Sequence, residues 1–254
     1  MGMLFPAWAR RHPVIGGVVF LFLGILIAWV IYFGWHVVSD IFIIKGGQSP
    51  TKLVEQRQFQ ATMSKYFSQA TVTPEDLARI NVSQGQPTLG DASAKVHIVG
   101  FFDFQCPFSK EVAPTLRAFM KTHASDAQFI FRDYPIRDVH PDAERVAVAA
   151  RCVFLQGNQD AFWGYFDRLY ASQDAQTDTN LRLFAQQAGV DLSAYDTCIA
   201  NPNTLSDVQR STSEAIAVGS EGTPTFFFNG VKVQGAMDAV SLETIFQEAK
   251  KKAL

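Results

Sequence analysis

Hydrophobic positions divide the chain into stretches of different character. From Pro13 to Ser39, 27 residues pass without an Asp, Glu, Lys or Arg. The most apolar part, Val14 to Trp35, would reach roughly 33 Å as a helix, enough for a hydrocarbon layer of about 30 Å. Trp29, Tyr32 and Trp35 gather toward one end, where aromatic rings meet lipid headgroups. A cleavable signal peptide would have a shorter apolar region, about 7–15 residues, followed by small residues at a cleavage site. This segment runs instead into His36-Val37-Val38-Ser39-Asp40. The pattern predicts one uncleaved transmembrane helix over 13–39. The basic pair Arg10-Arg11 keeps residues 1–12 cytoplasmic and sends everything beyond Lys45 to the other side. The expected location is a single-pass position in a cell membrane, with a bacterial cell envelope as the setting.

Beyond the anchor the apolar residues come in short periodic runs. Gly46-Gly47-Gln48-Ser49-Pro50 reads as a flexible linker, and Val54, Phe59, Met63 and Phe67 come after it near helical spacing. Thr73-Pro74-Glu75-Asp76 has an N-cap followed by proline at the first helical position. Residues 40–86 therefore form a juxtamembrane linker with short helices, whose last part is either a spacer or an N-terminal elaboration of the main domain. Val96 to Phe102 is an apolar run suited to a strand buried on both faces. Pro107 opens a helix through Val112, Leu116 and Met120, and Gln128 to Arg132 is a second strand. Helical patterning then fills about 141–218. Thr225 to Phe228 and Val231 to Val233 are strands joined by the turn Asn229-Gly230, and a helix from Leu242 to about Lys251 closes the chain. The order is strand–helix–strand, helical insert, strand–strand–helix. It is an α/β domain over 87–254.

Composition narrows the chemistry. The 254 residues carry 22 Lys+Arg against 24 Asp+Glu, a net charge of −2, and only 18% are charged. Neither a disordered chain nor a nucleic-acid binder fits that balance. Three cysteines exclude a disulfide scaffold and a four-cysteine zinc site. The five histidines show no metal-ligand spacing, and neither a Gly-rich phosphate loop nor a Gly-x-Ser-x-Gly elbow occurs. No metal and no cofactor are expected. His97 reads as a structural residue within a strand, His140 as a loop-to-helix junction, and Lys250 to Lys252 as a solvated helix end.

The chemistry centres on Asp103-Phe104-Gln105-Cys106-Pro107-Phe108-Ser109. A cysteine just before a helix faces unpaired N–H groups and the positive end of the dipole, which favour the thiolate. Thiolate is the form that attacks disulfides, so Cys106 is a candidate nucleophile. Four motifs occur in order: Asp103 to Phe108, Phe131-Arg132-Asp133-Tyr134-Pro135, His140-Pro141, and Gly222-Thr223-Pro224-Thr225-Phe226; Ala161-Phe162-Trp163-Gly164-Tyr165 lies in the helical region. Together they resemble the DsbA-type branch of thioredoxin-fold thiol–disulfide oxidoreductases, over about Pro87 to Leu254.

The resemblance implies a thioredoxin-like fold with a helical insertion. It makes Cys106 the attacking cysteine and Thr223-Pro224 a cis-proline loop that offers backbone groups to a bound peptide, with Pro107 and Phe108 beside it. Client proteins with thiols or disulfides would be the partners. Two departures stand out. Ser109 replaces the second active-site cysteine, and Gly100 occupies the position, six before Cys106, where members commonly carry a buried acid. A serine can hydrogen-bond a thiolate but cannot form a disulfide with it. Three cysteines allow three single pairings; the resemblance favours a structural Cys152–Cys198 disulfide within the insert.

The leading expectation is a membrane-anchored thiol–disulfide exchange protein with one active cysteine, Cys106, assisted by Ser109. An external thiol would resolve its adducts, supplied by a membrane redox partner or a low-molecular-weight thiol. The alternatives are a redox-inactive peptide-binding or chaperone-like module, and a trapping variant of an ordinary dithiol enzyme in which Ser109 is engineered.

Overall fold

The computed structural model describes residues 23–37, 54, 72–80, 85–156 and 159–253. The chain divides into two units, Met1–Ala61 and Thr62–Leu254. In the first, residues 23–37 are helical with exposed side chains, and Trp29 stacks on Phe33 with ring centroids 5.4 Å apart. Among the described residues no helix is long and apolar enough to cross a membrane. The rest of the expected span, 13–22 and 38–39, lies outside them, as does the helix expected around Phe59 to Phe67.

In the second unit, five strands form one sheet in the order β1-β3-β2-β4-β5. They are β1 (Thr88–Gly90), β2 (Val96–Phe102), β3 (Ala127–Asp133), β4 (Thr225–Phe228) and β5 (Val231–Gln234). β2 and β3 run parallel, joined through α2 (Pro107–Thr122), and the other pairs are antiparallel. β1 escapes the sequence pattern because three residues are too few to show alternation. It is recruited by pairing with β3, Leu89 opposite Phe129. Asn229 and Gly230 have φ of 46° and 88°, so the β4–β5 turn needs two residues that tolerate the left-handed region.

The nearly unbroken apolar run of β2 has a direct cause. Val96, Ile98 and Phe102 face one core, while Val99 and Phe101 face another. The second core also takes in Ile80, the last residue of α1 (Pro74–Ile80), so α1 packs on the domain. Thr73 Oγ1 caps that helix by accepting from Asp76 N at 3.1 Å. His97, on β2, keeps its expected structural role: its Nδ1 lies 3.0 Å from Gln128 Oε1.

Between β3 and β4 the chain inserts α3 (Ala143–Phe154), α4 (Gln159–Ala171), a 3-10 turn (Gln173–Ala175), α5 (Asp178–Gln187), α6 (Leu192–Ile199) and α7 (Pro202–Ala217). The terminal helix α8 (Ala239–Lys252) packs against α2 and β4. The insert shares its interior with the sheet through aromatic rings. Phe131 of β3 meets Phe162 and Phe166 of α4 at 5.3 and 5.8 Å, and Phe104 meets Phe166 and Tyr170 at 5.8 and 5.3 Å. Such pairs add about 0.5–1.5 kcal/mol each beyond the area they bury.

Cys152 of α3 and Cys198 of α6 are disulfide-bonded with Cα atoms 5.6 Å apart, closing a sequence separation of 46. Loop entropy gives about 4 kcal/mol for such a closure as an upper figure. Replacing both cysteines with alanine is expected to lower unfolding free energy in urea by about 2–4 kcal/mol. An unchanged urea midpoint would show that α3 and α6 hold together without the bond.

Candidate functional site

Cys106 follows β2 and occupies the N-cap of α2, with φ −72° and ψ 125° and Pro107 in the first turn. Cys106 is 5% exposed, and its Sγ donates to Thr223 O at 3.2 Å. Thr223-Pro224 is a cis peptide leading directly into β4. Thr225 Oγ1 donates to Gly222 O at 2.6 Å across this loop. Residues 117 apart in sequence thus meet at the sulfur because β4 pairs with β2, Phe101 opposite Thr225.

Pro107 and Phe108 are exposed beside the thiol, Phe108 at 59%. Ser109 lies in the first turn of α2 and is fully buried. The thiol points at Thr223 O. Thr223 Oγ1 is buried without a partner. At Gly100 a Cβ would lie 2.6 Å from the Phe129 ring and 2.7 Å from the Phe102 ring. Aromatic packing has taken the space in which an acid would stand.

A different acid lies close by. Asp103 is 1% exposed; its Oδ1 accepts from Gln105 N at 2.7 Å and its Oδ2 from Ile136 N at 2.9 Å. Oδ2 also lies 2.8 Å from His140 Nδ1. One carboxylate therefore joins the cysteine loop to the segment after β3. His140, which reads as no more than a junction in the sequence, becomes part of the site. Asp103 and His140 both fall within the motifs, but nothing local announces that they meet.

The insert reaches the same loop. Gln173 Nε2 donates to Phe104 O and Cys106 O, each at 3.0 Å, and Gln176 Nε2 donates to Phe104 O and Leu169 O at 3.1 Å. Tyr170 Oη donates to Asp103 O at 3.3 Å. Burial above all, and then the charge of Asp103, hold the Tyr170 hydroxyl protonated well above the usual tyrosine range, so it stays a donor. These three residues do not stand out in the sequence, where their polar side chains look like an ordinary helix end. A groove of 740 Å³ lies elsewhere, among α3, α5, α6 and α7, lined by Val148, Leu181, Tyr195 and Leu205 with flanking arginines. The Cys106 loop takes no part in lining it.

A parallel β-α-β core, a cysteine at the N-terminus of the following helix and a cis-proline loop against its sulfur define a thioredoxin-fold protein. A family model described as Thioredoxin matches residues 82–248, and the chain belongs to that family. Among curated relatives, a Na(+)/H(+) antiporter NhaA 3 of Salinispora tropica is 30% identical over 160 residues. That match covers 63% of this chain and 24% of the relative, so the chain spans about a quarter of its length. The thiol-disulfide exchange protein α-DsbA2 of Wolbachia pipientis superposes with a TM-score of 0.61 at 18% identity, over 74% of this chain and 96% of that one. The catalytic domain of Proteus mirabilis ScsC gives 0.61 at 20% identity, over 70% and 98%. At these identities the structures share the fold.

Asp103→Ala removes an acceptor used by three donors. With charge-assisted bonds near 1.5–3 kcal/mol each, a loss of about 3 kcal/mol or more is expected in urea unfolding. A change below about 1 kcal/mol would mean that water replaces the carboxylate without cost.

Proposed function

We propose that the protein is a membrane-anchored, extracytoplasmic thiol–disulfide exchange protein that works with a single cysteine. The observation that carries this reading is Cys106 Sγ at a helix N-terminus, against the cis Thr223-Pro224 loop, with Ser109 where a second thiol would stand. The thiolate of Cys106 attacks a client disulfide, forming a Cys106–client disulfide and releasing the other client sulfur as a thiolate that takes up a proton. The N–H groups at the start of α2 receive the charge of Sγ when it is deprotonated. Ser109 assists by turning its hydroxyl toward that charge.

Ser109 has no thiol with which to displace the client. An external thiol attacks the mixed disulfide, leaves with the client sulfur as a new disulfide and returns Cys106 as thiolate. The cycle conserves electrons and exchanges one disulfide for another, which suits isomerisation or reduction better than net oxidation. A membrane redox partner or a low-molecular-weight thiol fills the resolving role. Thr223, Pro224, Pro107 and Phe108 form the rim where client backbone and side chains approach. The charge-free run 13–39, with Arg10-Arg11 before it, supports a single-pass anchor with the domain outside the cytoplasm. The likeness to α-DsbA2, a thiol-disulfide exchange protein, supports the chemistry.

The low exposure of Cys106 favours one second reading, a binding module that keeps the proline loop but does no exchange. In a disulfide-exchange assay on the full chain in detergent, Cys106→Ala is expected to abolish activity. Retained activity in that variant would sink the proposal. Clients that bind equally well before and after Cys106 alkylation, with no exchange in either state, would favour the binding module.

Ser109→Cys offers a second test. Its position in the first turn of α2 should let it pair with Cys106, so both thiols disappear from a free-thiol count under mild oxidation. Two persistent free thiols would mean that the helix start is set against such a bond.

A further inference from the structure

We infer that Gln173 is a positioning residue for Cys106: its amide, carried by the helical insert, sets the backbone conformation that aims Sγ. This rests on Cys106 being the reactive sulfur. Helix α2 by itself holds that residue weakly. An N-cap residue is ordinarily held by its own side chain bonding to the first turn and by its carbonyl accepting the first helical N–H. Cys106 makes no side-chain capping bond, and Pro107 has no N–H to offer. What remains within the helix is one bond, Lys110 N to Cys106 O at 3.1 Å.

Gln173 adds a side-chain bond to the Cys106 carbonyl from outside the helix. Its single amide nitrogen spans Phe104 O and Cys106 O at 3.0 Å each, the two carbonyls on either side of Gln105. Two carbonyl oxygens drawn together repel unless a donor lies between them, so this nitrogen holds the turn closed. The neighbouring carbonyls are occupied from the same side. Gln176 adds a second donor to Phe104 O, and Tyr170 adds one to Asp103 O, which also accepts Cys106 N at 3.1 Å. Of the three, Gln173 is the one whose side chain bonds Cys106 itself. It comes from the short 3-10 turn between α4 and α5, so the insert helps decide where the thiol points. Gln173 is only partly buried, unlike Gln176, so its replacement need not open the core.

An amide that merely supports the fold would alter melting and leave reactivity alone. A positioning amide alters the reactivity of sulfur in a fold that stays intact. Alkylation of the full chain by iodoacetamide, followed by intact mass from about pH 5 to about pH 9, reads Cys106 because the other two cysteines are bonded to each other. Gln173→Met keeps the length and removes the donor. At about pH 6 its alkylation is expected to slow about fivefold, the equivalent of one net hydrogen bond, with the profile moved to higher pH. Gln173→Glu, which puts an acceptor against two carbonyls, is expected to slow it further. Circular dichroism and the thermal midpoint should stay close to the parent.

Unchanged pH profiles in both variants would overturn the inference. So would a loss of the thermal transition in Gln173→Met, since the amide would then be part of the fold and not a guide for sulfur. If Gln173→Glu alone fails to fold, Gln173→Met decides. Alkylation needs no turnover, so this result is independent of whether Cys106→Ala abolishes exchange.

Discussion

A buried cysteine at a helix start is useful only while the strand before it, the helix after it and the proline loop opposite keep a fixed register. Here that register comes from an aromatic core shared by the sheet and the insert. Phe102 and Phe131 lie on paired strands, Phe166 of α4 meets both, Phe162 meets Phe131, and Tyr170 meets Phe166. Because one core serves both parts, α4 cannot shift without moving β2 and β3. Tyr170 also meets the Phe104 ring and donates to Asp103 O, so packing continues without a break into the cysteine loop.

The two departures from the dithiol pattern look different once they are placed in space. Gly100 is a packing solution: with Phe129 and Phe102 at contact distance from where a Cβ would be, an acid there would cost both overlap and a buried charge. Ser109 places a small buried group in the helix that has no sulfur with which to pair Cys106. Asp103 partly changes the electrostatic picture. It is a buried acid near Cys106, but its oxygens are committed to Gln105 N, Ile136 N and His140. Its evident work is to hold two loops together.

Much of the domain is legible in the sequence because its signals are local. The two-faced burial of β2 shows as an unbroken apolar run, Asn229-Gly230 marks its turn by the conformations those residues tolerate, and Cys106-Pro107 marks a helix start. The Cys152–Cys198 disulfide comes from resemblance, since spacing alone leaves three pairings open. What cannot be read depends on partners far along the chain. β1 exists through its pairing with β3, and His140 joins the site through Asp103, 37 residues earlier. Gln173 lies 67 residues from Cys106, and its polar side chain carries no mark of the carbonyls it meets. Thr223 lies 117 residues from Cys106, and only the tertiary fold brings its carbonyl to the thiol.

The central claim is that one sulfur exchanges disulfides and depends on an outside thiol to let go. Its most direct test is a time course of the unmodified full chain mixed with a disulfide-bonded peptide, followed by intact mass under non-reducing conditions. A Cys106–peptide disulfide should accumulate and persist, then disappear when a small thiol is added, with Cys106 recovered free. A chain that never forms the adduct, or that releases the peptide with no thiol added, would contradict the claim.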